Sequence, residues 1–169
     1  MDQLPILAVD IDGVISLFGF EDAPSGPGFR FELIDGTPHC ISVAAGERLR
    51  RLQESFELVW ATGWQDRAND HLPTIIGIGP LEVIEFDREG PPPSRFAAAH
   101  WKLAPLDSFA GGREMAWIDD SFDQSCFEWA IRREADGVAT LLVPTEPARG
   151  LEEAHVDALE TWASDLAAS

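Results

Sequence analysis

Five short apolar runs, each beside a stretch of helical spacing, constrain this chain more than any other feature. They are Leu4 to Ile11, Phe56 to Ala61, Leu81 to Phe86, Met115 to Ile118 and Val138 to Val143. The first, Leu-Pro-Ile-Leu-Ala-Val-Asp-Ile, is nearly continuous in apolar residues, as a strand buried on both faces of a parallel sheet must be. Helical spacing covers Val43 to Glu54, Ser94 to Lys102, Ser121 to Glu134 and Leu151 to Leu166. Strands and helices in alternation predict an α/β fold, a three-layer doubly wound parallel sheet.

The last helical stretch shows its buried face directly. Leu151, Ala154, His155, Ala158, Leu159, Trp162 and Leu166 share one stripe, with acids on the other side. His155 on that stripe is read as a packing residue, because no partner for a metal site lies near it in sequence.

Between the first strand and the first helix, residues 17–41 begin rich in Gly and Pro. They continue with Phe29, Phe31 and Leu33 in alternation before Asp35-Gly36. That pattern predicts a short β-hairpin flap inserted after the first strand. The connection after Asp87 is the Pro-rich Gly90-Pro91-Pro92-Pro93. It leaves no room for a second domain, so one domain spanning 1–169 is expected, a size that supports a proper hydrophobic core.

Composition narrows the partners. Apolar residues make up 45% and charged residues 25% of the 169, a globular composition. The formal charge of −18 repels polyanions, so avid nucleic-acid binding through bulk electrostatics is disfavoured, while a small phosphorylated substrate remains compatible. The start, Met1-Asp2-Gln3-Leu4-Pro5, has an acid where a secretory signal is basic, and no apolar run approaches the roughly 20 residues of a membrane span. A cytoplasmic location without membrane attachment is therefore expected. Cys40 and Cys126 lack CxxC spacing and fit reduced thiols packed as small apolar groups.

The chemistry concentrates at strand ends. Asp10-Ile11-Asp12-Gly13 closes the first apolar run, and in open parallel sheets the ligand crevice lies at the carboxyl ends of strands. Residues i and i+2 of an extended strand point to one side, so the two carboxylates converge, and Gly13 lets the chain turn away. One acid can attack while the other moves a proton. At the second strand end, Thr62-Gly63 offers a hydroxyl and an approachable backbone N–H, both suited to a phosphoryl oxygen. At the fourth, Asp119-Asp120 with Asp123 supplies hard oxygen ligands suited to magnesium. Each group also has a plainer reading. Asp-Gly is a common turn, Thr62 can cap a helix near Trp64, and Asp120 or Ser121 can cap the helix that follows.

Taken together, these motifs resemble the haloacid dehalogenase-like superfamily, whose four motifs run in order across Ile6 to Asp123, most of the chain. The resemblance implies roles residue by residue. Asp10 is the nucleophile, Asp12 the acid/base residue, and Thr62 with Gly63 the phosphate-binding turn. Lys102, the only lysine beside eleven arginines, matches the family's phosphate-clamping lysine. Magnesium is held by Asp10, the backbone carbonyl of Asp12, and Asp119 with Asp120. The implied reaction is hydrolysis of a phosphomonoester through an aspartyl phosphate. The second acid, Asp12, separates such phosphatases from the true dehalogenases. The short flap resembles the uncapped branch, whose open sites suit a large substrate or completion by another subunit.

Two other readings stand beside this one. The first is a polynucleotide-end phosphatase of the RNA- or DNA-repair type, which the −18 charge disfavours. The second is a fold-only binding or regulatory module, against which the intact set Asp10, Asp12, Thr62, Lys102 and Asp119 argues. Trp60, Trp64 and Trp117 flank the motifs. Trp60 and Trp117 are read as core because they lie within strands, and Trp64 as the one that faces substrate. His39, His71 and His100 are assigned no role.

Overall fold

Apolar strands with no polar face must be covered on both sides, and they are. The computed structural model describes residues 3–86, Phe96 and 99–169. Strand β1 (Ile6–Val9) is buried along its whole length. It pairs in parallel with β5 (Glu57–Trp60) on one side and β7 (Met115–Asp119) on the other. Two further parallel strands, β6 (Glu82–Val83) and β8 (Thr140–Pro144), extend the sheet outward, giving the order β6-β5-β1-β7-β8. The chain thus runs from the centre to one edge and then returns to fill the other half. That reversal creates a crevice beside the carboxyl end of β1.

Side chains of β1 alternate between two cores. Leu7 and Val9 join the buried residues of α1 (Val43–Leu52), α2 (Arg67–Ile76) and α5 (Glu153–Ala167), including Leu49, Leu72 and Leu159. Ile6 and Ala8 join those of α3 (Leu103–Ala110) and α4 (Gln124–Ala135), including Leu106, Trp129 and Ala130. Helix, sheet and helix therefore form three layers of an α/β fold, and each fully buried aliphatic side chain contributes about 1.5–3 kcal/mol.

The flap is larger than a hairpin. Strands β3 (Phe29–Ile34) and β4 (Thr37–Ser42) are joined by Asp35-Gly36, both at positive φ (48° and 81°), as a two-residue hairpin turn requires. A third strand, β2 (Ser16–Leu17), adds antiparallel to β4. Two residues are too few to show alternation, so β2 is not visible in the sequence. Ser42 ends the flap and caps α1, its side chain accepting from the Ala45 N–H at 3.1 Å.

Two helices differ from expectation. Helix α2 is marked only by Ala68, Leu72 and Ile76 and carries Pro73, so its spacing is faint. Of the expected helix over Ser94 to Lys102, residues 94, 95, 97 and 98 lie outside the described residues, as do Gly90 to Pro93. The described ones, Phe96 and 99–102, form no α-helix; the helix begins only at Leu103. Lys102 itself stands immediately before α3, whose Pro105 sits in the first turn, where a missing N–H costs nothing. Cys40 and Cys126 are buried and free. His155 caps its own helix, its Nδ1 accepting from the Glu152 N–H at 2.9 Å. Among the described residues, no helix is long and apolar enough to cross a membrane.

Candidate active site

The tips of β1 and β7 are tied by a hydrogen bond from the Asp10 N–H to the Ile118 carbonyl (3.1 Å), which sets Asp10 beside Asp119. Both carboxylates are buried, at 6% and 1% exposure. Lys102, 3% exposed, brings its ammonium between them from the start of α3. Its Nζ lies 3.0 Å from Asp10 Oδ1, 2.7 Å from Asp119 Oδ2 and 2.9 Å from the Ala61 carbonyl. Three ammonium protons thus have three acceptors, one from each of three neighbouring strand ends.

One cation does not balance this cluster. Burial, and then the negative charge of Asp119, push the Asp10 carboxyl up to about 7 despite the opposing pull of Lys102. Asp120 rises to about 6 from burial and from Asp119 beside it. Asp10, Asp119 and Asp120 each present an oxygen within 4.8 Å of the others. Hard, crowded and, among the described residues, short of positive charge, this donor set could hold a metal cation.

Asp12 takes a different position. It is exposed, and its Oδ2 accepts a hydrogen bond from Trp64 Nε1–H at 3.0 Å. Trp64 is only 8% exposed, and its indole N–H is engaged by Asp12. The expectation that Trp64 faces substrate meets a largely buried side chain already hydrogen-bonded to Asp12. Trp60 and Trp117 are buried, as core residues should be.

Asp10, Asp12, Gly63, Lys102, Asp119 and Asp120 line one cavity of about 210 Å³ at the carboxyl ends of the strands. Thr62 lies behind them, with no exposed surface; its Oγ1 accepts from the Trp64 N–H at 3.1 Å and so shapes the turn that presents Gly63. Asp123 caps α4, accepting from the Cys126 N–H at 3.3 Å and from the Ser125 hydroxyl. It stands outside the group of three carboxylates. A larger cavity, about 620 Å³, lies beside Leu4, Pro5 and the end of α5. Its lining includes Glu54, Glu114 and Glu160 and neither Lys nor Arg, a poor match to an anionic ligand.

Three cavity residues carry no catalytic or binding role in the sequence reading: His100, Trp101 and Ser121. A fourth contributor, Thr145 at the tip of β8, donates its hydroxyl to the Gly13 carbonyl at 2.8 Å and its N–H to the Asp119 carbonyl at 3.1 Å. Four strand ends therefore converge on one turn. The chain matches no family model and no curated sequence. What it can do is carried by its own geometry.

Gly13 is where that geometry is tightest. Its φ is +80°, and a Cβ there would fall 2.6 Å from Asp120 Cβ, in collision with the carboxylate. Gly36 has a similar φ, +81°, with open space beyond it. Gly13→Ala should therefore cost more than Gly36→Ala, which carries only the backbone strain of about 1–2 kcal/mol. Urea unfolding of both variants checks this, and equal losses would mean that Asp120 moves aside freely.

Proposed function

We propose that this protein is a magnesium-dependent phosphomonoester hydrolase of the haloacid dehalogenase-like type, forming an aspartyl phosphate on Asp10. The observation that carries the reading is the pairing of a buried, cation-held Asp10 with an exposed Asp12 two residues on, in one cavity.

Asp10, Asp119 and Asp120 would hold magnesium, and its charge would offset repulsion between carboxylate and phosphate. Asp10 attacks phosphorus through one carboxylate oxygen; the bond from phosphorus to the ester oxygen breaks, and its electron pair leaves on that oxygen. Asp12 supplies the proton that makes it an alcohol. In the second half, the Asp12 carboxylate takes a proton from water as the water oxygen attacks phosphorus. The bond from phosphorus to Asp10 breaks, releasing inorganic phosphate and the Asp10 carboxylate. The Trp64 hydrogen bond holds Oδ2 of Asp12, leaving Oδ1 free to carry the proton. Lys102 keeps Asp10 aligned, and a phosphoryl oxygen arriving there shares one of its three donors.

The test is hydrolysis of an aryl phosphate with and without magnesium, by wild type and Asp10→Asn. Metal-dependent turnover lost in the variant supports the reading. Absence of turnover, together with absence of magnesium binding, favours a fold-only module. Trp64→Phe should lower kcat about tenfold with little change in KM, as expected when an acid/base residue is no longer aimed. An unchanged kcat would remove Trp64 from the mechanism.

A further inference from the structure

The cavity mouth carries a large aromatic ring that none of the steps above uses. Trp101 is 58% exposed, yet it is held in place. Phe86 meets it edge-on at 5.0 Å and 68°, and His100 lies nearly parallel to it, 6.1 Å away at 17°. His100 is itself anchored through both ring nitrogens: Nδ1 accepts from the Lys102 N–H at 3.2 Å, and Nε2–H donates to the Ser121 carbonyl at 2.9 Å. An indole that is both exposed and braced presents surface with little conformational entropy left to lose.

Its position relates the ring to the chemistry. The centroid of Trp101 is 5.2 Å from Lys102 Nζ, the ammonium that holds Asp10. Its Cη2 lies 3.9 Å from where a Cβ on Gly63 would stand, an ordinary van der Waals distance, so the ring stands close beside the Thr62-Gly63 turn. A ligand with a phosphate near Asp10 can therefore lay a flat group on Trp101 a few bonds away. The charge of −18 penalises extra phosphates on such a ligand but not an uncharged ring.

We propose that Trp101 is the specificity-determining platform of this cavity, stacking a planar aromatic group carried by the substrate, as in a nucleoside 5′-monophosphate. The proposal rests on the hydrolase reading of the same cavity. Stacking of a base on an aromatic side chain corresponds to roughly a tenfold preference or more.

The experiment compares adenosine 5′-monophosphate with ribose 5-phosphate, which share the scissile ester and differ by the base. The readout is the ratio of their kcat/KM values with magnesium. Wild type should favour the nucleotide about tenfold, Trp101→Ala should bring the ratio near one, and Trp101→Phe should keep most of it. A wild-type ratio near one, or a ratio unmoved by Trp101→Ala, overturns the platform and leaves the hydrolase reading intact. If neither compound turns over, the aryl phosphate assay above decides the hydrolase reading separately, and the same two ligands are titrated by calorimetry against wild type and Trp101→Ala. Tighter nucleotide binding that the variant loses supports the platform; equal or absent binding overturns it.

Discussion

Lys102→Met should lower the unfolding free energy by about 3–5 kcal/mol at about pH 9, above the range in which the Asp10 carboxyl holds its proton, a large fraction of what holds a domain of this size together. Methionine keeps most of the stem and loses the ammonium, so the Asp10 and Asp119 carboxylates remain buried with no lysine between them. The Ala61 carbonyl also loses its donor. The cost is that of stranding charge and not of lost packing, which a second substitution can separate. Asp10→Asn placed on Lys102→Met removes one stranded carboxylate and should recover at least about 1 kcal/mol. Urea denaturation of the four proteins of this cycle measures the coupling. A loss under about 1 kcal/mol in Lys102→Met would mean that the carboxylates neutralise one another by taking up protons, and that the lysine is not their counter-charge.

That cycle also shows why some of the site is legible in the sequence and some is not. The buried parallel strands announce themselves, because a strand covered on both faces has no polar residues to alternate with. Asp10, Gly63 and Asp119 follow such runs, so their convergence at one end of the sheet follows from parallel topology alone. What the sequence does not display is contact between distant segments. Trp64 reaches Asp12 across 52 positions, and Thr145 reaches Gly13 across 132. Nothing local to Trp64 distinguishes an indole that aims a carboxylate from one that meets substrate. Trp101 and His100 are invisible for a related reason: their value lies in an exposed ring being braced, which depends on Phe86 and Ser121 arriving from elsewhere. The lone lysine is legible only by its rarity. Its placement before α3, instead of within a helix, follows from Pro105, whose ring tolerates a first turn and little else.

Asp10→Asn should do two opposite things, abolishing turnover and raising stability. On the proposed mechanism, in which Asp10 attacks phosphorus, the substitution should cost about 10⁴-fold or more in kcat, the scale seen when the attacking group of a covalent mechanism is removed. Stability should move the other way in metal-free protein, with a defined pH dependence. Burial, reinforced by Asp119, holds the folded-state Asp10 carboxyl up at about 7, against an ordinary value of 3.8 for the unfolded chain. Between those values the folded protein binds more protons than the unfolded one, so Asp10 makes wild type less stable as pH rises through that window. Asparagine has no proton to lose and is free of this penalty. Its amide still reaches the cavity, while Lys102 keeps Asp119 and the Ala61 carbonyl as acceptors. Thermal unfolding in chelator should therefore find the two proteins alike near pH 4, with the variant progressively more stable up to about pH 7 and the gap level beyond. A variant less stable than wild type at pH 8 would show that Lys102 more than offsets burial, making Asp10 a stabilising ion-pair partner. On the proposed mechanism, a site whose Asp10 is cheaper to fold without its charge keeps that carboxylate for reactivity and not for stability.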